Sequence, residues 1–308
     1  MIQVITIITP LFIIIFASAL LQKFGNISKE WEIVLNEFAL KIGLPVLVFS
    51  TLSTISFSLK EEGYLVLVNS LFLVFSFFLA ILIGKIFKMS KKSFSTFFIC
   101  FVFSNVAYLG IPVLTQVRGA GVLPEAILIA AIYLFWIFTF GIGYLEYSLN
   151  GGGKDIFKGI VKGFIKNPLL ISVLLGFIVA GLNIEIPFIL SESLRMVSAS
   201  VTPIVLIVIG FFIGKSKDSK ITEWYSVIGF SAFTLLIFPA IFYFLIRFFS
   251  LDISIFSNSI IQAAMPLGIT PFALADRYNL DKNFIARSIV LSTIISAISL
   301  PFWISILH

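Results

Sequence analysis

Two stretches decide the fold: Phe103-Ser104-Asn105-Val106-Ala107-Tyr108-Leu109-Gly110-Ile111-Pro112 and Ile261-Gln262-Ala263-Ala264-Met265-Pro266-Leu267-Gly268-Ile269-Thr270-Pro271. Each sets glycine and proline near the middle of an apolar run. Proline removes a backbone donor and clashes with the carbonyl four residues back. Glycine adds conformational freedom. Two readings stand: a simple kink, common in membrane helices, or an unwound segment. Both stretches carry an amide side chain, Asn105 and Gln262, which favours the second. Unwound backbone at membrane depth survives only where it is buried in protein or lines a cavity. Its carbonyls and N–H groups then become ligands.

That these stretches lie in a membrane follows from composition. Hydrophobic residues make up 59% of the 308 residues and charged residues 12%. Soluble domains carry about 25% charged residues. A helix needs about 20 apolar residues to cross a bilayer. Ten candidates meet or approach that length: 2–22, 33–53, 64–87, 93–115, 125–147, 168–182, 199–214, 224–249, 257–278 and 283–307. The first is read as a span and not as a cleavable signal peptide, because it has no basic leader. The stretch 183–198, which contains Pro187, is expected as an interfacial helix.

The basic residues test this count. Cytoplasmic loops collect lysine and arginine. Of the 21 Lys and Arg, sixteen fall in the odd-numbered loops: Lys23, Lys29, Lys85, Lys88, Lys91, Lys92, Lys154, Lys158, Lys162, Lys166, Lys215, Lys217, Lys220, Arg277, Lys282 and Arg287. The even-numbered loops hold four, Lys60, Arg118, Arg195 and Arg247, and Lys41 lies inside a span. The split predicts ten spans with both termini outside the cell membrane. The basic connecting segment 151–167 is expected to lie on the anionic inner leaflet.

Prolines expose a repeat. Pro10 and Pro168 lie 158 residues apart, as do Pro45 and Pro203. At the same offset Leu109-Gly110-Ile111 meets Leu267-Gly268-Ile269. The chain divides into a first five-helix repeat, 1–150, and a second, 151–308. An odd number of spans per repeat inverts the second half, which is the arrangement of many secondary transporters. The expected fold is an all-α membrane protein of ten transmembrane helices, with the fourth and ninth broken where they cross.

At these residues the chain resembles the auxin efflux carrier family in its short bacterial form, of the bile acid symporter-like fold group. The pattern is Asn105, then Leu109-Gly110-Ile111-Pro112, with Ala264-Met265-Pro266, Ala275, Tyr278 and Asp281 in the ninth span. Ala286, Ser292, Thr293, Ser296, Leu300 and Pro301 follow in the tenth, and Pro45, Pro203 and Gly210 lie in the second and seventh. The resemblance implies scaffold and transport subdomains and export or exchange of small organic acids. The long central loop of the plant carriers is absent, and Val106-Ala107 replace residues that are small or hydroxylic in many members.

The residues then assign roles. Asn105, Tyr108, Gly110, Pro112, Gln262, Met265, Pro266 and Pro271 are expected to form a substrate site for a small organic anion, a carboxylate. Helix starts at the two breaks would supply positive potential, and no acidic residue lies there to cancel it. Glu37 and Lys41 share a helical face and are either a proton or ion-coupling pair or a plain ion pair near the cytoplasmic end. Glu146 and Asp276 are expected at the interface, and the 36 phenylalanines mostly against lipid. The only cysteine is Cys100 and the only histidine His308, so no internal disulfide, metal cluster or histidine catalysis is expected. No phosphate-binding loop of the nucleotide-hydrolysing kind occurs. No cofactor, metal or nucleic acid is implied; lipid, the anion and a second copy joined through the scaffold helices are the expected partners. The competing functions are a membrane sensor that kept a transporter fold, a sodium- or proton-coupled symporter of another solute, and a membrane enzyme. An enzyme would need acid/base groups in a pocket, and none is apparent.

Overall fold

The computed structural model describes residues 2–25, 27–54, 61–150, 161, 165, 167–215 and 224–307. The connecting segment 151–167 therefore lies almost wholly outside the described residues, as do Lys60, Lys217, Lys220 and His308. Among the described residues, seven helices are long and apolar enough to cross a membrane: α1 (Ile2–Phe24), α2 (Glu30–Leu52), α3 (Glu62–Ile86), α6 (Ala120–Tyr147), α8 (Phe188–Gly214), α9 (Tyr225–Phe248) and α12 (Lys282–Ile306). Between them lie α4 (Lys91–Val102), α5 (106–118), α7 (Pro168–Gly181), α10 (Ile253–Ala263) and α11 (Thr270–Leu274). Helix α7 has only 14 residues.

Prolines shape these helices locally. π-helical turns at Ala39–Gly43, Val106–Gly110 and Phe233–Ile237 each run into a helix with proline at its start: Pro45, Pro112 and Pro239. Widening the turn relieves the clash between the ring and the carbonyl four residues earlier. Pro112 therefore continues its helix, and the interruption falls seven residues earlier, at 103–105. The expectation that Gly110 and Pro112 unwind the fourth span is corrected on this point. The expected interfacial helix at 183–198 is also corrected: α8 runs unbroken from Phe188. Its polar residues do not interrupt it, because Ser193 and Ser198 donate to the carbonyls of Ile189 and Leu194 one turn back, each at 2.8 Å.

The helices pack in two groups. In the first, α1 lies along α8 and α7 along α2. Both contacts rest on absent side chains. A Cβ on Gly210 would meet Ile15 O at 2.4 Å and Ser18 Cβ at 2.6 Å, and one on Gly176 would meet Leu52 Cβ at 2.8 Å. Adding the 158-residue offset to Ser18 gives Gly176, and subtracting it from Gly210 gives Leu52. Gly210 and Gly214, one turn apart, form a small-residue stripe of the kind that brings membrane helices close.

In the second group α3 packs on α4 and α6, while α9 packs on α10 and α12. Stacked Phe72 and Phe242, 3.8 Å apart, join α3 to α9. Phe101 packs edge-on against Phe238, and both are buried. A share of the phenylalanines is thus core and not lipid-facing, because large rings fill the space where these helices meet.

Candidate functional site

The two breaks meet. Asn105 N donates to Pro266 O at 2.8 Å and Gly268 N donates to Phe103 O at 2.9 Å. Ser104 and Leu267 thereby form an antiparallel bridge, the only β pairing among the described residues. Leu267 N donates to Ser292 Oγ at 3.1 Å, and Ser104 Oγ lies 3.2 Å from Met265 O. Several backbone groups released by one break are thus satisfied by the other, as apolar surroundings demand.

Beside this crossing lies a cavity of about 560 Å³, between α2, α7 and α8 on one side and the two breaks on the other. Asn105, Val106, Ala107 and Tyr108 line it from the start of α5, and Gly268, Ile269 and Thr270 from the second break. The first N–H groups of a helix have no partner within it. Asn105 is 6% exposed, and among the described residues its amide has no side-chain hydrogen-bond partner. Tyr108 Oη donates to Asn36 Oδ1 at 2.9 Å, a bond from α5, beside the crossing, to α2 in the first group.

The other expected site residues lie elsewhere. Gln262 is fully buried behind Gly110, its Nε2 3.4 Å from Ala126 O and its Oε1 without a partner. A Cβ on Gly110 would sit 2.1 Å from that oxygen, so glycine makes room for the amide. Met265 and Pro266 are buried at the crossing, Pro112 and Pro271 are buried in the helices that follow the two breaks, and none of the four lines the cavity. Lys41 lines it and pairs with Glu37 at 3.0 Å, with both side chains more than half exposed.

Several lining residues were not assigned to the site from the sequence, among them Asn36, Glu32, Arg277 and Tyr278. Glu32 lines the cavity and pairs with Lys215. Arg277 and Tyr278 line it too, and both bond Glu146 Oε1, at 2.6 and 2.7 Å. Glu146, expected at the interface, is 5% exposed, because these partners cover it. Asp276 does lie outside, paired with Lys282 at 2.5 Å. No group of acidic, histidine or cysteine side chains that could hold a metal occurs among the described residues.

The sequence matches the profile of the membrane transport protein family over residues 3–304. It is also 27% identical, over 286 residues and 91% of each chain, to an uncharacterized transporter of Methanocaldococcus jannaschii. Long apolar helices, a polar crossing and a cavity beside it agree with those likenesses. The chain belongs to this membrane transport protein family, the auxin efflux carriers that its motifs resemble, and is an integral membrane transporter, not an enzyme.

Proposed function

We propose that the protein carries small organic anions, carboxylates with an apolar body, by alternating access between two inverted five-helix repeats. The observation that carries the substrate class is Asn105. Its unpartnered amide faces the cavity at the start of α5. That amide bonds no other described side chain and opens onto the cavity, so its donor and acceptor are both available to a ligand there. The helix start adds partial positive charge and N–H donors suited to an anion. Leu134, Phe138 and Phe212 offer apolar walls for the rest of the molecule.

Alternating access draws support from the packing. The offset that relates the prolines also relates the contacts Ser18–Gly210 and Leu52–Gly176. Each half therefore meets the other through counterpart positions. The group of α1, α2, α7 and α8 would serve as scaffold and the group with the crossing as the moving part. With the sixteen basic residues of the odd-numbered loops inside the cell, the cavity faces the cytoplasm and both termini face outward.

The test is uptake into proteoliposomes of benzoate, phenylacetate and hexanoate, beside an amine of similar size. Saturable uptake of at least one acid is expected, and an imposed potential, negative inside, should drive the acid out. Saturable amine transport with no response to any acid would overturn the anion reading.

A further inference from the structure

Among the described residues, three charged side chains line the cavity, Glu32, Lys41 and Arg277, and each has a partner. The pairs differ in what they turn toward the open space. Lys41 and Glu37 are exposed to similar degrees, 64% and 57%, so that pair offers no net sign. Glu32 and Lys215 are both largely covered, at 20% and 32%. Arg277 and Glu146 are lopsided: the guanidinium is 56% exposed and the carboxylate 7%. What this pair shows the cavity is its cation.

The cation is also held in place. Its Nη2 bonds Glu146 Oε1, and the same oxygen accepts from Tyr278 Oη. The guanidinium carbon lies 5.0 Å from the centre of the Tyr278 ring. Among the described residues Nη2 is the only nitrogen of Arg277 that donates a hydrogen bond. A fixed guanidinium with donors to spare matches the two oxygens of a carboxylate as a fork matches a fork, which an ammonium cannot do. Holding it fixed in the empty state lowers the entropy lost when the ligand arrives.

From this geometry we infer that Arg277 is the residue that selects for a carboxylate, and that Glu146 and Tyr278 position it. The inference rests on the anion reading above and adds the group that recognises the charge. Asn105 and the start of α5 line the same cavity, which gives the ligand a polar contact at the first break beside the guanidinium that follows α11.

The test uses the full-length protein in proteoliposomes and whichever of benzoate, phenylacetate and hexanoate it transports. Arg277→Gln should raise KM roughly 10- to 100-fold, the cost of losing a charged, bidentate contact. Arg277→Lys should recover part of the loss, because charge returns without the fork. Removing Arg277 alone strips the buried Glu146 carboxylate of its cation and can harm folding, so Arg277→Gln/Glu146→Gln provides a neutral version with the same expected rise. The corresponding amide, such as benzamide, should compete poorly against the unsubstituted protein and nearly as well as the acid against the double variant. A purely structural role would not move that ratio. A KM within about twofold of the unsubstituted value in either glutamine variant, or a fall in maximal rate alone, overturns the assignment of Arg277 and leaves the anion reading standing. No uptake of any acid by the unsubstituted protein overturns both.

Discussion

The two breaks look alike in sequence and differ in use. Each carries an amide, a Leu-Gly-Ile and a proline. Yet Asn105 turns an unpartnered amide to the cavity, while Gln262 is sealed behind Gly110. The repeat offset explains the difference. At 158 residues the counterpart of Gln262 is Ser104, and the Ser104 hydroxyl lies 3.3 Å from the Gln262 carbonyl. The two amides therefore never held equivalent places. One residue of displacement along the chain turns a side chain to another face, and that step separates a candidate ligand contact from a packing element.

The largest effect should come from Asn105→Ala. Loss of a buried hydrogen-bonding group costs about 2 kcal/mol, or roughly a 30-fold rise in KM for the transported acid. Thermal unfolding in detergent should hardly change, since the amide bonds no side chain among the described residues. Equal damage to stability would erase the contrast with Gln262.

Gly110→Ala should give the opposite signature. Its Cβ collides with the Gln262 amide, and overpacking of this kind costs about 1.5 kcal/mol. The melting temperature should fall while KM stays within about twofold. Shortening the neighbour, in Gly110→Ala/Gln262→Asn, should restore most of the loss. A raised KM in Gly110→Ala would return Gln262 to the ligand site.

Tyr108→Phe should have the smallest effect. It removes the bond to Asn36 that ties the start of α5, at the crossing, to α2, worth about 1 kcal/mol. The population with an open cavity should drop by up to about fivefold. The rate of maleimide labelling at Ala273→Cys, in the lining, reads this in a Cys100→Ala background. Unchanged labelling would mean that the bond does not hold this state.

Much of this was legible in the chain. Run lengths located the long helices, and Gly-Pro placement located the crossing to within a few residues. The exact break did not follow, because a proline in a membrane helix can be absorbed by a π turn, as Pro45, Pro112 and Pro239 all are. Glu146 was misplaced for a different reason. Its position near a span end suggested water, but its partners Arg277 and Tyr278 are 131 and 132 residues away in sequence. Helical periodicity carries no information about such pairs. Asn36, bonded to Tyr108, was missed in the same way.

The shortness of α7 has a consequence for the surrounding lipid. Fourteen residues rise only about 21 Å, against a hydrocarbon core of about 30 Å. Its neighbour α8 has 27 residues and rises about 40 Å. Ile171, Leu174, Leu175 and Ile178 on α7 face outward. On the ten-span reading, acyl chains beside α7 must draw in while those beside α8 meet a tilted or overlong surface. Each ångström of mismatch costs a fraction of a kcal/mol. On that reading the surrounding annulus would be uneven in thickness, and bilayers of shorter acyl chains should suit the α7 side best.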